Sequence, residues 1–315
     1  MRIEELEVPA PGAGEVRLRV EAIGLNRSEA MFRKGAYPQR PTLPTLMGYE
    51  GVGTILALGS GVQGFKEGDR VCVVPMYRLG EYGMYAEETI VPARCLLHAP
   101  PGLSSVEAAS IWMQYFTAMA IIEIGKATVG DYVLIPAASS SVGLAAIQLA
   151  NWAGATPIAA TRRSDKAAAL KAQGAAHVVA TEEQDLVAEV MRITQGKGAR
   201  LVFDPVGGPF VEKLANAMAD EGILFRYGGL SGEDTVVPHW PASLKGLSIR
   251  GWVASAIWNR PDRYARAQAL VLKGLADGRL KPVIAKTFPL ARIVDAHRYL
   301  ESNQQLGKIV VTVNS

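Results

Sequence analysis

The run from Asp131 to Gly143, Asp-Tyr-Val-Leu-Ile-Pro-Ala-Ala-Ser-Ser-Ser-Val-Gly, constrains the fold of this chain more than any other stretch. Tyr132 to Ile135 reads as a short apolar strand. Ala137 to Ser141 is a turn of small side chains, and Val142 to Trp152 has the pattern of a helix. Small side chains let backbone N–H groups approach an anion, and the helix N-terminus adds the positive end of its dipole. Ser140, Ser141 and Val142, at the join, are the candidate donors to a pyrophosphate, so the run points to a dinucleotide cofactor. The usual fingerprint is Gly-x-Gly-x-x-Gly, and here several of its glycines are alanine or serine. Taken alone, the loop fits an ordinary strand–turn–helix equally well.

The next element shifts that balance. A second apolar strand, Thr156 to Thr161, runs into Arg162-Arg163-Ser164-Asp165-Lys166. This falls about 20 residues past the loop, where a dinucleotide fold reads the adenosine ribose. An NAD enzyme places a carboxylate there to accept from the 2′-hydroxyl. This chain offers Thr161, Arg162, Arg163 and Lys166, and guanidinium groups grip phosphate oxygens in a charge-assisted fork. A solvated helix start capped by Ser164 is the plainer account, but cations at a helix N-terminus oppose its dipole. The cluster therefore favours a 2′-phosphate, that is NADP(H).

A length of 315 residues predicts one large domain or two moderate ones. Hydrophobic content of 49% with 20% charged residues describes a globular protein. No basic stripe with interleaved aromatics argues for nucleic acid. No apolar run reaches membrane-span length, and the charged start Met-Arg-Ile-Glu-Glu lacks a signal-peptide core. Cys72 and Cys95 read as buried free thiols in a reducing cytoplasm, the simpler alternative to a disulfide.

The first hundred residues read as β-rich. Val16 to Ile23 alternates, with Val16, Leu18 and Val20 on one face and Arg17 and Arg19 on the other. Gly51 to Leu58 and Arg70 to Val74 are further strands. Helical periodicity covers Val106 to Glu123. Strands and helices then alternate: after the elements above come a helix at Asp165–Gln173, strand His177–Ala180, helix Glu183–Thr194, strand Leu201–Asp204, helix Phe210–Ala219 and strand Ile223–Tyr227. That alternation implies a parallel sheet with right-handed crossovers. The tail adds a long helix at Asp262–Ala276, a strand at Ile284–Phe288, a helix at Ile293–Ser302 and a strand at Lys308–Val313.

Several segments in register carry a family resemblance: Asn26-x-x-Glu29, Arg33-x-Gly35-x-Tyr37-Pro38, Gly48-x-Glu50-x-x-Gly53, Gly59-Ser60-Gly61-Val62, Phe65-x-x-Gly68-Asp69-Arg70-Val71, Gly83-x-x-Ala86-Glu87, Asp204-Pro205-Val206-Gly207-Gly208 and Gly307-Lys308-Ile309-Val310. Over nearly its whole length the chain resembles a medium-chain dehydrogenase/reductase of the zinc-independent quinone oxidoreductase and enoyl reductase branch. The resemblance implies an α/β fold: a GroES-like β-barrel domain from both chain ends (1–108 and 278–315), an inserted Rossmann doubly wound parallel-sheet domain (109–277), and a cleft between them. Members of the family usually begin with about a dozen more residues forming a first strand, so an incomplete barrel edge is expected here.

Zinc-dependent members hold their metal with Cys and His, and zinc needs thiolate or nitrogen donors. Asn26 and Tyr49 stand in those positions, and neither is a credible ligand. The chain has two cysteines and four scattered histidines, His98, His177, His239 and His297, each read as a surface or satisfied residue. No metal site is expected. A quinone or an α,β-unsaturated carbonyl takes hydride at carbon and delocalises the charge onto oxygen. The protein then has to position the reactants and aim donors at the developing oxyanion.

The resemblance supplies the candidates. Asn26, in the vacated ligand position, could donate to the carbonyl oxygen or simply tie a loop. Tyr37 matches a tyrosine implicated in protonation, and a phenol is protonated at neutral pH; the alternative is a cleft-lining role. Thr117 begins a segment facing the nicotinamide, Gly228 and Ser231 follow a strand close to it, and Lys308 is placed to approach the cofactor. Tyr77, Tyr82, Tyr85, Trp112, Trp240, Trp252 and Trp258 could stack on a planar acceptor or serve as core and interface residues. The segment Ser248–Val253 matches the strand through which family members pair into homodimers. The expectation is a cytoplasmic, homodimeric, NADPH-dependent reductase of a small apolar quinone, enone or alkenal. An enoyl-thioester reductase and a non-catalytic NADPH-binding protein are the competing readings.

Overall fold

The computed structural model describes residues 1–313, so the last two residues of the segment 278–315 lie outside the described residues. The chain divides into two compact units. One comprises Met1–Met113 with the chain from Pro282 onward, and the other is Gln114–Lys281.

In the first unit the strands are β1 (Glu15–Gly24), β2 (Glu50–Leu58), β3 (Arg70–Val73), β4 (Glu88–Pro92) and β5 (Leu96–His98). The second unit contributes β6 (Tyr132–Ile135), β7 (Thr156–Thr161), β8 (His177–Ala180), β9 (Ala199–Asp204), β10 (Met218–Arg226) and β11 (Ser248–Gly251). The chain then returns to the first unit for β12 (Ile284–Pro289) and β13 (Lys308–Thr312).

The first sheet, among the described residues, runs β12-β13-β1-β2-β3-β5, with β4 also on β1. β1 divides its length between neighbours. Glu15–Arg19 pair with β4 and Ala22–Gly24 with β13, while β2 runs along its other edge. That exchange curls the sheet around an apolar core containing Val16, Leu18, Val20, Ile55 and Phe288. The alternation read in β1 is realised: Val16 and Leu18 are buried, whereas Arg17 faces outward and donates to Glu88 from Nε at 2.7 Å. Residues 1–12 precede any regular structure. The second sheet is parallel throughout, in the order β11-β10-β9-β6-β7-β8. Loops at the carboxyl ends of its strands lie on one side, where such sheets bind ligands.

Three expected elements are corrected. Val106–Glu123 is not one helix but three short pieces, Ser105–Ala108, Trp112–Ala118 and Ala120–Glu123. The Glu50 carboxylate accepts from Met113 N at 2.9 Å, satisfying a donor at the start of the second piece that a continuous helix would have used internally. The helix at Phe210 ends at Asn216, because Ala199 N takes the Ala217 carbonyl and Met218 already pairs with Ala199, so β10 starts before Ile223. Ser164 does not cap the helix after β7; it opens a 3₁₀ turn, Ser164–Lys166, ahead of the helix Ala167–Ala172.

Candidate active site

In the second unit, the turn after β6 is shaped by the residue types that replace glycine. Ala137 takes a left-handed φ of 48°. The helix Ser141–Trp152 then starts with Ser140 as its N-cap, the hydroxyl accepting from Gly143 N at 3.0 Å. Gly143 is obligatory: a Cβ there would lie 2.6 Å from the Ala138 carbonyl oxygen and 2.7 Å from Ala138 Cα. The N–H groups of Ser141 and Val142 have no acceptor within the helix. Beside this turn the Tyr227 hydroxyl is buried against Ser140 and has no partner in hydrogen-bond geometry. Burial pushes the Tyr227 phenol up, so it remains a proton donor. An anion-seeking turn with an orphaned buried hydroxyl fits a phosphate ligand.

Thr161 ends β7 and is buried, its carbonyl accepting from Thr181 N at 2.8 Å. Arg162 and Arg163 are exposed at the strand's carboxyl end. Lys166 turns back, its Nζ donating to Ser139 Oγ at 3.3 Å. Partial burial lowers its pKa, and Arg162 nearby adds to the lowering. The structure thus joins the basic cluster to the turn after β6, although the two are far apart in sequence. After β9, the buried Asp204 carboxylate accepts from Val206 N at 2.7 Å and Gly207 N at 3.0 Å, and pairs with Arg226 at 3.2 Å. Burial raises the Asp204 pKa, against the pull of these donors. Ser231 packs on this loop, its N–H on the Val206 carbonyl at 3.0 Å, and a Cβ on Gly208 would meet Ser231 Oγ at 2.7 Å. A Cβ on Gly228 would meet the Pro205 carbonyl oxygen at 2.8 Å. Thr117 is buried, with its carbonyl accepting from Trp252 Nε1 at 2.7 Å.

The first unit holds a second constellation. Asn26 follows β1 and is the N-cap of the helix Arg27–Arg33. Its side chain is almost buried. Nδ2 donates to the Gly24 carbonyl at 3.1 Å and lies 3.3 Å from Glu50 Oε1. Its Oδ1 accepts from Lys308 Nζ at 2.8 Å, and Lys308 forms an ion pair with Glu50. Glu29 is fully buried and accepts from Asn26 N at 2.7 Å, Tyr49 N at 2.8 Å and the Tyr85 hydroxyl at 2.6 Å. Desolvation lifts the Glu29 carboxyl to about 7 despite these donors. Tyr85 also meets His297 Nε2 at 2.9 Å. Because Tyr85 gives its proton to Glu29, the histidine carries its own on Nε2, and the buried Nδ1 has no partner. Burial and the nearby Arg33 hold His297 down to about 4. Tyr37 is half-buried beside Tyr49, whose phenol burial raises.

The structure therefore brings Asn26 and Lys308 into contact, places Tyr37 beside Tyr49, and gathers Ser140 with Tyr227, and Lys166 with Ser139. Sequence reasoning gave Glu29 and Glu50 only as motif residues, Tyr85 as a stacking or core aromatic and His297 as a surface or satisfied residue, and joined none of them into this network. The available signal was the capping-box spacing Asn26-x-x-Glu29. Among the described residues no group of three or more His, Cys, Asp or Glu is placed to hold a metal ion. Nor is any helix long and apolar enough to cross a membrane.

Comparison with known proteins agrees with this layout. Residues 12–101 match the family model for an alcohol dehydrogenase GroES-like domain, and residues 141–272 that for a zinc-binding dehydrogenase. The chain belongs to the medium-chain dehydrogenase/reductase family. It is 31% identical to the synaptic vesicle membrane protein VAT-1 homolog of Rattus norvegicus, covering 96% of this chain and 78% of that protein. It is also 31% identical to a 2-haloacrylate reductase of Burkholderia sp, over 98% of this chain and 93% of the relative. The solved structure of Escherichia coli quinone oxidoreductase complexed with NADPH superposes with a TM-score of 0.90 at 28% identity, covering 98% and 94% of the two chains. That of an NAD-dependent alcohol dehydrogenase does so with a TM-score of 0.88 at 34% identity, covering 99% and 95%. The GroES-like and Rossmann-type folds of this medium-chain protein are those of the quinone oxidoreductase branch.

Proposed function

We propose that this protein is an NADPH-dependent oxidoreductase that transfers hydride to a quinone or an activated C=C bond without using a metal. The observation that carries the reading is the gathering of Arg162, Arg163 and Lys166 beside the turn after β6, where Lys166 already reaches Ser139. Three cations next to an anion-seeking turn suit a dinucleotide with one more phosphate than NADH. The oxidoreductase class is supported by the relatives named for quinone and 2-haloacrylate reduction. The choice of NADPH over NADH is supported by the cluster and by the NADPH-bound neighbour.

When bound, the cofactor supplies hydride from nicotinamide C4 to the acceptor carbon. The N–H groups of Ser141 and Val142, at the turn capped by Ser140, would hold the pyrophosphate. Arg162 and Arg163, with Lys166, grip the 2′-phosphate, and Thr161 borders the adenosine ribose. Thr117, Gly228 and Ser231 line the nicotinamide end. Asn26 donates to the acceptor's oxygen. Both of its amide hydrogens have internal acceptors, so donation draws on the longer contact, that to Glu50. Tyr37 would supply to the other carbon the proton that completes C=C reduction, regaining one from water. The donor set at Asn26 and Tyr49 suits hydrogen bonding and not zinc. Two free buried thiols, Cys72 and Cys95, support a reducing cytoplasm, and the open edge of β11 supports a homodimer.

Calorimetry and NADPH oxidation test this together. Arg162→Ala with Arg163→Ala is expected to weaken NADPH about tenfold or more, with NADH changed by less than about twofold. Equal binding of both cofactors to the parent protein would sink the cofactor assignment. Turnover is expected with 1,4-benzoquinone, 9,10-phenanthrenequinone or a 2-alkenal. Preference for crotonyl thioesters would instead mark an enoyl-thioester reductase, and cofactor binding with no turnover on the panel a non-catalytic protein.

A further inference from the structure

In the first unit β1, β2 and β13 end side by side, with Gly24 the register partner of both Glu50 and Val310. That places Glu50 and Lys308 against Asn26, just past the end of β1. The Lys308 side chain is 0% exposed and the Glu50 side chain 2%. The packing is close because Gly24 lacks a side chain: a Cβ there would sit 2.8 Å from Lys308 Cε and 2.1 Å from the Ala109 carbonyl oxygen. Taking both ions out of water is unfavourable, and an apolar pair of the same volume is often at least as stable. Stability alone is therefore a poor account of this pair.

Its geometry does something specific to Asn26. A carboxamide has two orientations of nearly the same shape, distinguished only by its partners. An ammonium has donors and no acceptor, so Lys308 admits only Oδ1. Nδ2 is then forced toward the Gly24 carbonyl at 3.1 Å and Glu50 Oε1 at 3.3 Å. Glu50 Oε1 is already served by the ammonium, and 3.3 Å is beyond the usual N–H···O range. The hydrogen on that contact is the one an incoming oxygen can take. A cation on Oδ1 also polarises the amide, which strengthens its N–H as a donor. The opposite orientation would face a developing oxyanion with a carbonyl oxygen.

We propose that Lys308, held by Glu50, is a positioning residue for hydride transfer, fixing the orientation of the Asn26 amide and polarising the N–H that stabilises the acceptor's developing oxyanion. The proposal rests on Asn26 as that donor. The test compares three variants: Asn26→Ala, the charge-free pair Glu50→Gln with Lys308→Met, and all three changes together. The assay is NADPH oxidation by a 2-alkenal. The charge-free pair is expected to lower kcat about tenfold or more, with KM for the alkenal and binding of NADPH changed by less than about twofold. Asn26→Ala added to that pair is expected to cost less than about twofold more, because the lysine acts through the asparagine. Unchanged kcat in the charge-free pair, or losses that multiply, would overturn the role of Lys308 while leaving Asn26 as donor. Unchanged kcat in Asn26→Ala alone would instead remove the donor reading. Should the charge-free pair not fold, the parent protein carrying 15N-asparagine decides. The Nδ2 signal lost in Asn26→Ala is expected as one slowly exchanging pair, with one proton moving downfield when NADP+ and an unreactive ketone bind. Two interconverting sets of signals would overturn the proposal.

Discussion

Ala137 shows what substituting glycine means for a single residue. Its φ of 48° is left-handed, a region that costs a residue with a Cβ roughly 1–2 kcal/mol. The turn is held there by Ser140 N on the Ala137 carbonyl at 3.0 Å and Ala138 N on the Ala160 carbonyl at 3.1 Å. Glycine would relieve the strain but lose roughly 0.5–1 kcal/mol to the entropy of a freer unfolded chain. Ala137→Gly is therefore expected to stabilise the protein by about 0.5 kcal/mol in urea unfolding, with cofactor affinity held within about twofold, since no donor is removed. A loss of more than about 1 kcal/mol would show that the strain is smaller than φ implies. The alanines and serines that obscure the fingerprint in the sequence thus leave the turn itself intact. Gly143, the one position where a Cβ would strike Ala138, is still glycine.

At the scale of elements, the helices Arg27–Arg33 and Ile293–Ser302 enclose two titrating groups with opposite tendencies. Glu29, facing Tyr85, the N–H groups of Asn26 and Tyr49, and more distantly Lys308, is lifted to about 7. Its contribution to stability is complete below its unfolded value near 4.5 and is lost as pH rises to about 7. His297, facing Tyr85 with Arg33, Arg27 and Glu301 nearby, is held down to about 4. Its contribution is complete above its unfolded 6.5 and is lost as pH falls to about 4. Between these limits the two slopes oppose each other, and Glu29→Gln removes one of them. The variant is destabilised overall, since an amide cannot accept from all three donors. The difference in unfolding free energy between pH 4.5 and 6.5 is expected to become positive by up to about 3 kcal/mol relative to the parent. Urea titrations across that range check it, and parallel profiles for parent and variant would refute it. This network also marks the limit of sequence reading. Strand β1 and the strand–turn–helix at Tyr132 were legible because alternation and apolar runs are local. Glu29 and Glu50 stood only as motif residues and Lys308 as a cofactor candidate, and their mutual burial was not legible because it is decided by which strand ends meet. Only the Asn26-x-x-Glu29 spacing hinted otherwise. The single helix expected over Val106–Glu123 failed for the same reason, since the start of its second piece, at Met113, is satisfied by Glu50, far away in sequence.

For the whole molecule, the open question is what covers the edge of the parallel sheet. Among the described residues β11 is the sheet's last strand and pairs only with β10, leaving one row of its backbone groups without a strand partner. Near it in sequence the second unit exposes apolar side chains: Trp240 at 68%, Leu244 at 79% and Val253 at 59%. Monomeric proteins seldom leave an unprotected edge strand beside a cluster of this kind, because it templates pairing with another chain. The chain offers few blocking devices at β11 itself, with no proline and only Arg250 charged within Ser248–Gly251. A net charge of +3 is too small to hold two copies apart at physiological ionic strength. Antiparallel pairing of β11 with its counterpart would join two six-stranded sheets and bury the flanking apolar residues. Light scattering on the eluting protein is expected to give twice the 33.6 kDa chain mass at about 10 μM. Leu244→Glu with Val253→Glu is expected to shift it to the chain mass. Both side chains are largely exposed in the single chain, so the variant's cost in intrinsic stability is small, about 0.5 kcal/mol or less. A parent protein that scatters as a single chain at that concentration, or a doubly charged variant that stays paired, would assign the exposed edge to something other than a second copy.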